Sequence, residues 1–157
     1  MKIAFLTVGK TTDARIAALV ADYAARIAHY APFEMLCVPD LKGARSLSAE
    51  EQKAREGEGI RKLLREGDHV VLLDERGQEP RSVEFAAWLE KKFRQAPRRL
   101  VFIVGGPYGF SQDVYARAAE RLSLSRLTFS HQMVRLFFTE QLYRAFTILR
   151  GEPYHHE

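Results

Sequence analysis

Apolar residues along this chain alternate between a strand rhythm and a helix rhythm. Residues 2–8 are a near-continuous apolar run, the pattern of a strand covered on both faces. Asp13 then stands at a helix-capping position, with Ile16, Leu19, Val20, Tyr23 and Ile27 on one helical face. Phe33–Val38 predicts a second strand, and Pro39–Ser46 a polar loop. Ser48 and Glu51 have capping-box spacing, ahead of a charged helix with solvated polar faces that runs to Glu66. His69–Asp74 predicts a third strand, Glu75–Pro80 a turn, and Ser82 the cap of a helix whose core face is Phe85, Leu89 and Phe93. Leu100–Val104 predicts a fourth strand, running directly into Gly105-Gly106-Pro107-Tyr108-Gly109. Ser111 reads as the cap of a short helix starting at Gln112. A strand-like stretch follows over Leu122–Phe129, then a helix over Gln132–Arg150 stopped by Gly151 and Pro153.

Strands alternating with helices predict a parallel α/β sheet in a single domain over residues 1–157. A chain of this length buries a core without disulfides or structural metal. Its single cysteine, Cys37, excludes a disulfide framework and suits a reducing, cytoplasmic setting. No apolar run reaches membrane-spanning length, and the opening run reads as a buried strand rather than a signal segment, so no membrane association is expected. The net charge of +4 comes without a long basic block, which leaves nucleic-acid binding open.

The last predicted helix is apolar nearly all round, with Met133, Val134, Leu136, Phe137, Phe138, Leu142, Tyr143, Phe146, Ile148 and Leu149. Such a helix is buried on more than one side. In so small a domain the second side points to a partner copy, hence a homodimer; the alternative is a helix central to one chain.

In open α/β sheets ligands bind beyond the carboxyl ends of strands. Three segments here leave such ends: the one after Leu72-Leu73-Asp74, the glycine turn at 105–109, and the one after Leu122–Phe129. Glycines let backbone approach a ligand, but they also serve a tight strand-to-helix connection. There is no G-x-G-x-x-G and no Walker A pattern, and Asp113 spoils the nucleophile elbow that Gly109 begins. One cysteine and no H-x-x-x-H pair leave no built metal site. Glu140 and Arg144 have ion-pair spacing. Arg135, one turn after His131, is the candidate phosphate contact, and His131 is either a second RNA contact or a helix cap. In the tail, Tyr154 is suited to stacking on a base.

These residues together resemble the RlmH family, bacterial large-subunit ribosomal RNA pseudouridine N3-methyltransferases of the SPOUT superfamily. The resemblance rests on Gly105–Gly109, Leu122-Ser123-Leu124-Ser125 with Leu127-Thr128, and His131 with Val134-Arg135. Glu140–Ala145, the closing Pro153-Tyr154-His155, Val8-Gly9 and Glu56-Gly57-Glu58 add to it. It covers essentially the whole chain. It implies a C-terminal trefoil knot within the parallel-sheet α/β fold, the cofactor-binding knot occupying roughly residues 70–157. It also implies a homodimer that uses S-adenosyl-L-methionine, and a target pseudouridine in helix 69 of 23S rRNA within the 70S ribosome. The implied cofactor contacts are Leu73, Gly105, Gly106, Ser125, Arg126, Leu127, Thr128, Phe129 and Ser130. The RNA contacts read from the residues themselves are His131, Arg135 and Tyr154. Many relatives end Tyr-His-Arg-Glu, whereas His156 stands here in the arginine position.

Methylation at N3 requires loss of the N3 proton, aided by a base or an anion-stabilising group. Tyr154, His155, His156 and Arg135 are the candidate catalytic residues. The rival expectations are a SPOUT enzyme acting on a transfer-RNA base or ribose, and a non-catalytic ribosome-binding factor.

Overall fold

A computed structural model describes all residues, 1–157. The elements are β1 (Lys2–Val8), α1 (Ala14–Ala28), β2 (Phe33–Val38), α2 (Ala49–Leu63), β3 (Asp68–Gln78), α3 (Ser82–Gln95), β4 (Arg99–Val104), α4 (Gln112–Arg117), β5 (Glu120–Leu122) and α5 (Met133–Arg150). The strands form one sheet in the order β2-β1-β4-β3-β5, every pair parallel.

Successive side chains of a strand point to opposite faces, so each central strand fills two cores. Ile3, Phe5, Val71, Leu73, Leu100 and Phe102 meet α1, α3 and α5 on one face. Ala4, Leu6, Val70, Leu72, Val101 and Ile103 meet Ile60 of α2 and Val114 of α4 on the other. This double burial is why β1 and β4 read as unbroken apolar runs. The chain leaves the sheet at its edge, β5, and returns to its centre. There Phe138 of α5 packs with ring centroids 4.6 Å from Phe5 and 4.7 Å from Phe102.

The caps at Asp13 and Ser48 form as expected. Four expectations are corrected. First, β3 continues through Glu75–Gln78, where a turn was expected. The Ser123 amide donates to the Gln78 carbonyl at 2.7 Å. Gly77 lies so close to the Leu122 backbone that a Cβ would stand 2.6 Å from it. Second, the strand expected over Leu122–Phe129 is only the three residues of β5. Ser123 Oγ donates to the Ser125 carbonyl and Ser125 Oγ accepts from the Leu127 amide, so local side-chain bonds replace the ladder. Third, α3 is capped from Arg81 rather than Ser82, with Glu84 accepting from the Arg81 amide at 2.7 Å. Fourth, Ser111 occupies the N-cap position of α4 but makes no capping bond.

Candidate functional site

The loops after β4 and β5, together with β3 from Leu73 onward, enclose a cavity of about 640 Å³ at the carboxyl ends of the strands. Leu73, Gly105, Gly106, Ser125, Arg126, Leu127, Thr128 and Phe129 line it, and so does His131. The arrangement brings together eight of the nine residues expected to hold the cofactor. Ser130 stands apart, its Oγ accepting from the Met133 amide at the start of α5. His131 is exposed and does not cap that helix, whose N-cap is Gln132.

The glycine turn is tight: the Gly109 amide donates to the Gly106 carbonyl at 3.2 Å. Behind it lies Glu56, 4% exposed on the otherwise charged and solvated α2. A Cβ on Gly106 would stand 2.4 Å from Glu56 Oε2 and 2.7 Å from Oε1. A side chain here would therefore have to push the Glu56 carboxyl aside, before any ligand enters. Gln52 donates to Glu56 Oε1 at 2.9 Å, while Oε2 has no partner. Burial pushes the Glu56 carboxyl above the ordinary glutamate range, partly opposed by Gln52 and by the His131 charge.

Four cations line the cavity that the sequence pattern did not single out as RNA contacts: Lys53, Arg76, Arg121 and Arg126. They come from α2, β3, β5 and the loop after β5, so no basic block in the sequence announces them. Asp74 is held at the rim, accepting from the Arg76 amide at 2.8 Å and from the Tyr115 hydroxyl. Burial and the Asp74 carboxylate push the Tyr115 phenol up to about 12, so it remains a donor at neutral pH.

Arg135 is corrected. It is 1% exposed, with no free surface to offer a phosphate in this chain. Its guanidinium donates to the carbonyls of Val8 (2.9 Å), Gly9 (2.9 Å) and His131 (3.0 Å), and to Thr11 Oγ1 (3.0 Å). Four of its five N–H groups are thus spent, three of them on fastening α5 to the end of β1 and the residues after it.

The tail is docked rather than loose, and it does not line the cavity of its own chain. Tyr154 packs edge-on against Tyr143, with centroids 4.8 Å apart, and donates to Glu140 Oε1 at 2.8 Å. The expected Glu140–Arg144 ion pair forms at 2.7 Å, and the Arg144 guanidinium also lies over the Tyr154 ring. Arg144 Nη1 donates to His155 Nδ1 at 3.2 Å. A guanidinium cannot accept, so Nδ1 uses its lone pair and the ring proton sits on Nε2. That Nε2 is buried and unpartnered in this chain, and His156 is exposed. No group of three or more His, Cys, Asp or Glu is arranged to hold a metal ion, and no helix is long and apolar enough to cross a membrane.

Comparison with known proteins places this geometry. A family model described as predicted SPOUT methyltransferase matches residues 1–155. The ribosomal RNA large subunit methyltransferase H of Parabacteroides distasonis is 54% identical over 157 residues, covering all of both chains. That of Bacteroides fragilis is 55% identical over the same length, again covering all of both chains. Among solved structures, a probable methylase family protein from Haemophilus influenzae superposes with a TM-score of 0.51 at 13% identity, over 95% of this chain and 66% of that one. That likeness establishes the SPOUT-type α/β fold alone. With the family model and the near relatives spanning the whole chain, this protein belongs to the SPOUT methyltransferases, in the branch of the ribosomal RNA large subunit methyltransferases H.

Proposed function

We propose that this protein transfers a methyl group from S-adenosylmethionine to N3 of a pseudouridine in helix 69 of 23S rRNA. It works as a cytoplasmic homodimer on the assembled 70S ribosome, with residues 1–157 as one domain and roughly 70–157 holding the cofactor. The observation that carries this reading is the cavity at the strand ends. Its walls are the three segments the family uses, and its size suits a nucleoside-sized ligand.

The residues fit the cofactor. Gly105 and Gly106 present bare backbone, the loop over Ser125–Phe129 lines the cavity with polar and apolar residues, and a buried carboxylate oxygen without a partner lies behind them. When bound there, S-adenosylmethionine supplies a methyl group already activated by its positive sulfur. The task left to the protein is placement of the base in line with that methyl. Lys53, Arg76, Arg121 and Arg126 draw RNA phosphates to the cavity mouth, each contact contributing to a salt-dependent affinity. Tyr154, His155 and His156 complete the site from the partner copy. His155 is held by Arg144, and the exposed His156 beside it is free to take the N3 proton as it leaves the base. Arg135 acts by holding α5 and the loop ahead of it in place.

Two surface features support the dimer. Leu127 is 77% exposed beside the cavity, and Phe137 is 40% exposed on α5, against Phe129. Phe137→Glu is expected to give a folded monomer in sedimentation velocity; an unchanged dimer would count against this surface as the interface. Gly106→Val is expected to abolish binding of S-adenosylmethionine in calorimetry, because the new side chain displaces Glu56 and enters the cavity. Wild-type affinity in a folded variant would contradict the site.

Substrate choice is tested with tritiated S-adenosylmethionine and either 70S ribosomes or bulk transfer RNA. Label is expected in ribosomes alone. Label in transfer RNA would favour the rival substrate, and no label in either would favour a non-catalytic factor.

A further inference from the structure

Glu56 lies behind the cavity rather than on its wall. It lies on a helix whose other acidic residues face water, with Gly57 and Gly59 on its C-terminal side. Glycine inside a helix costs about 1 kcal/mol relative to alanine. Here the two glycines let α2 press against Ser111 and Val38. That close seating drives the Glu56 carboxyl under the Gly106 turn, where Oε1 accepts from Gln52 and Oε2 accepts from nothing. A buried, half-satisfied carboxyl is unfavourable unless something in the working state uses it. Glu56 does not itself line the cavity, but Gly106 does, and a Cβ on Gly106 would stand 2.4 Å from this oxygen.

We propose that Glu56 is the counter-charge to the cofactor's sulfonium, favouring the positively charged methyl donor over its neutral demethylated product. The proposal rests on the cavity being the cofactor site. S-adenosylmethionine and S-adenosylhomocysteine share the same ammonium, carboxylate and adenosine; they differ by one methyl group and one positive charge. An anion behind Gly106 meets the shared charges equally, so it separates the two ligands through that difference and favours departure of the product after transfer. Burial holds the Glu56 carboxyl toward its protonated form in the free protein, and the arriving cation draws it to the anion. The titratable group facing it from another element is His131; Gln52, on its own helix, is neutral.

An acid whose pKa is raised on folding loses its proton first in the unfolded chain, so stability falls as pH climbs past the ordinary carboxyl value. Glu56→Gln removes that penalty. It is expected to leave the melting temperature at neutral pH unchanged or higher, whereas a purely structural carboxylate would make it fall.

The test is calorimetric titration of wild type and Glu56→Gln with S-adenosylmethionine and with S-adenosylhomocysteine. The ratio of the two affinities is expected to move toward the product by about tenfold in the variant. An unchanged ratio overturns the proposal. Should Glu56→Gln fail to fold, the His131→Asn protein is titrated in weakly acidic buffers of different ionisation heats. The donor is expected to release more protons on binding than the product does, and equal release overturns the proposal. Amide chemical shifts of Gly105, Gly106 and Ser125–Phe129 are followed on adding S-adenosylmethionine. If these do not move, the cavity assignment itself has failed; if they move and the ratio is unchanged, the role of Glu56 has failed.

Discussion

Arg135→Met is expected to lower stability by about 3 kcal/mol while leaving no direct mark on RNA affinity. The substitution keeps the stem of the side chain but strips partners from the Val8 and Gly9 carbonyls and from Thr11 Oγ1. Each buried acceptor left unpaired costs about 1–3 kcal/mol, reduced where water can reach it. For a chain of this size that is a fall of about 6–12 °C in melting temperature. Thermal unfolding followed by circular dichroism measures it. An unchanged melting temperature combined with weaker ribosome binding would return Arg135 to the role of a phosphate contact.

Deleting Tyr154–Glu157 is expected to abolish turnover while sparing the cofactor site. The deletion removes one aromatic contact with Tyr143, a hydrogen bond to Glu140 and the partner of Arg144 Nη1. The Glu140–Arg144 ion pair remains. A loss of about 1–2 kcal/mol is expected, because an aromatic pair and one net hydrogen bond each contribute on that scale. No tail residue lines the cavity of its own chain, so affinity for S-adenosylmethionine should be unchanged. Single-turnover methylation of ribosomes is expected to fall at least about a hundredfold, the scale of losing a positioned proton-handling group. Wild-type rates from the truncated protein would show that the tail only packs.

Two of the five buried charged residues, Arg135 and Glu56, had roles that the sequence pattern does not reveal. Arg135 was legible as an unusual charge on an apolar helix, but its acceptors lie 126 and 127 residues earlier. Nothing local separates a guanidinium that grips backbone from one that awaits phosphate. Glu56 sat among other acids on a charged helix, and the only local sign of its burial was the glycine pair that follows it. The strands show the same division. Strands β1 and β4 were legible because burial repeats along them. The far half of β3 was not, because it depends on Gly77 meeting the Leu122 backbone. Leu124, Leu127 and Phe129 imitate a strand in sequence, yet they line a cavity that only the folded chain creates. The glycine turn and the loop after β5 were legible as site segments because ligands gather at strand ends.

The most direct measurement is mass mapping of helix 69 of 23S rRNA, from ribosomes lacking the modification, after reaction with this protein and S-adenosylmethionine. The expected product carries one added methyl on N3 of a single pseudouridine. It should form on 70S ribosomes and be absent with the tail-deleted protein. A methyl on another nucleotide, or an unmodified helix 69 with active wild-type protein, would contradict the proposed reaction.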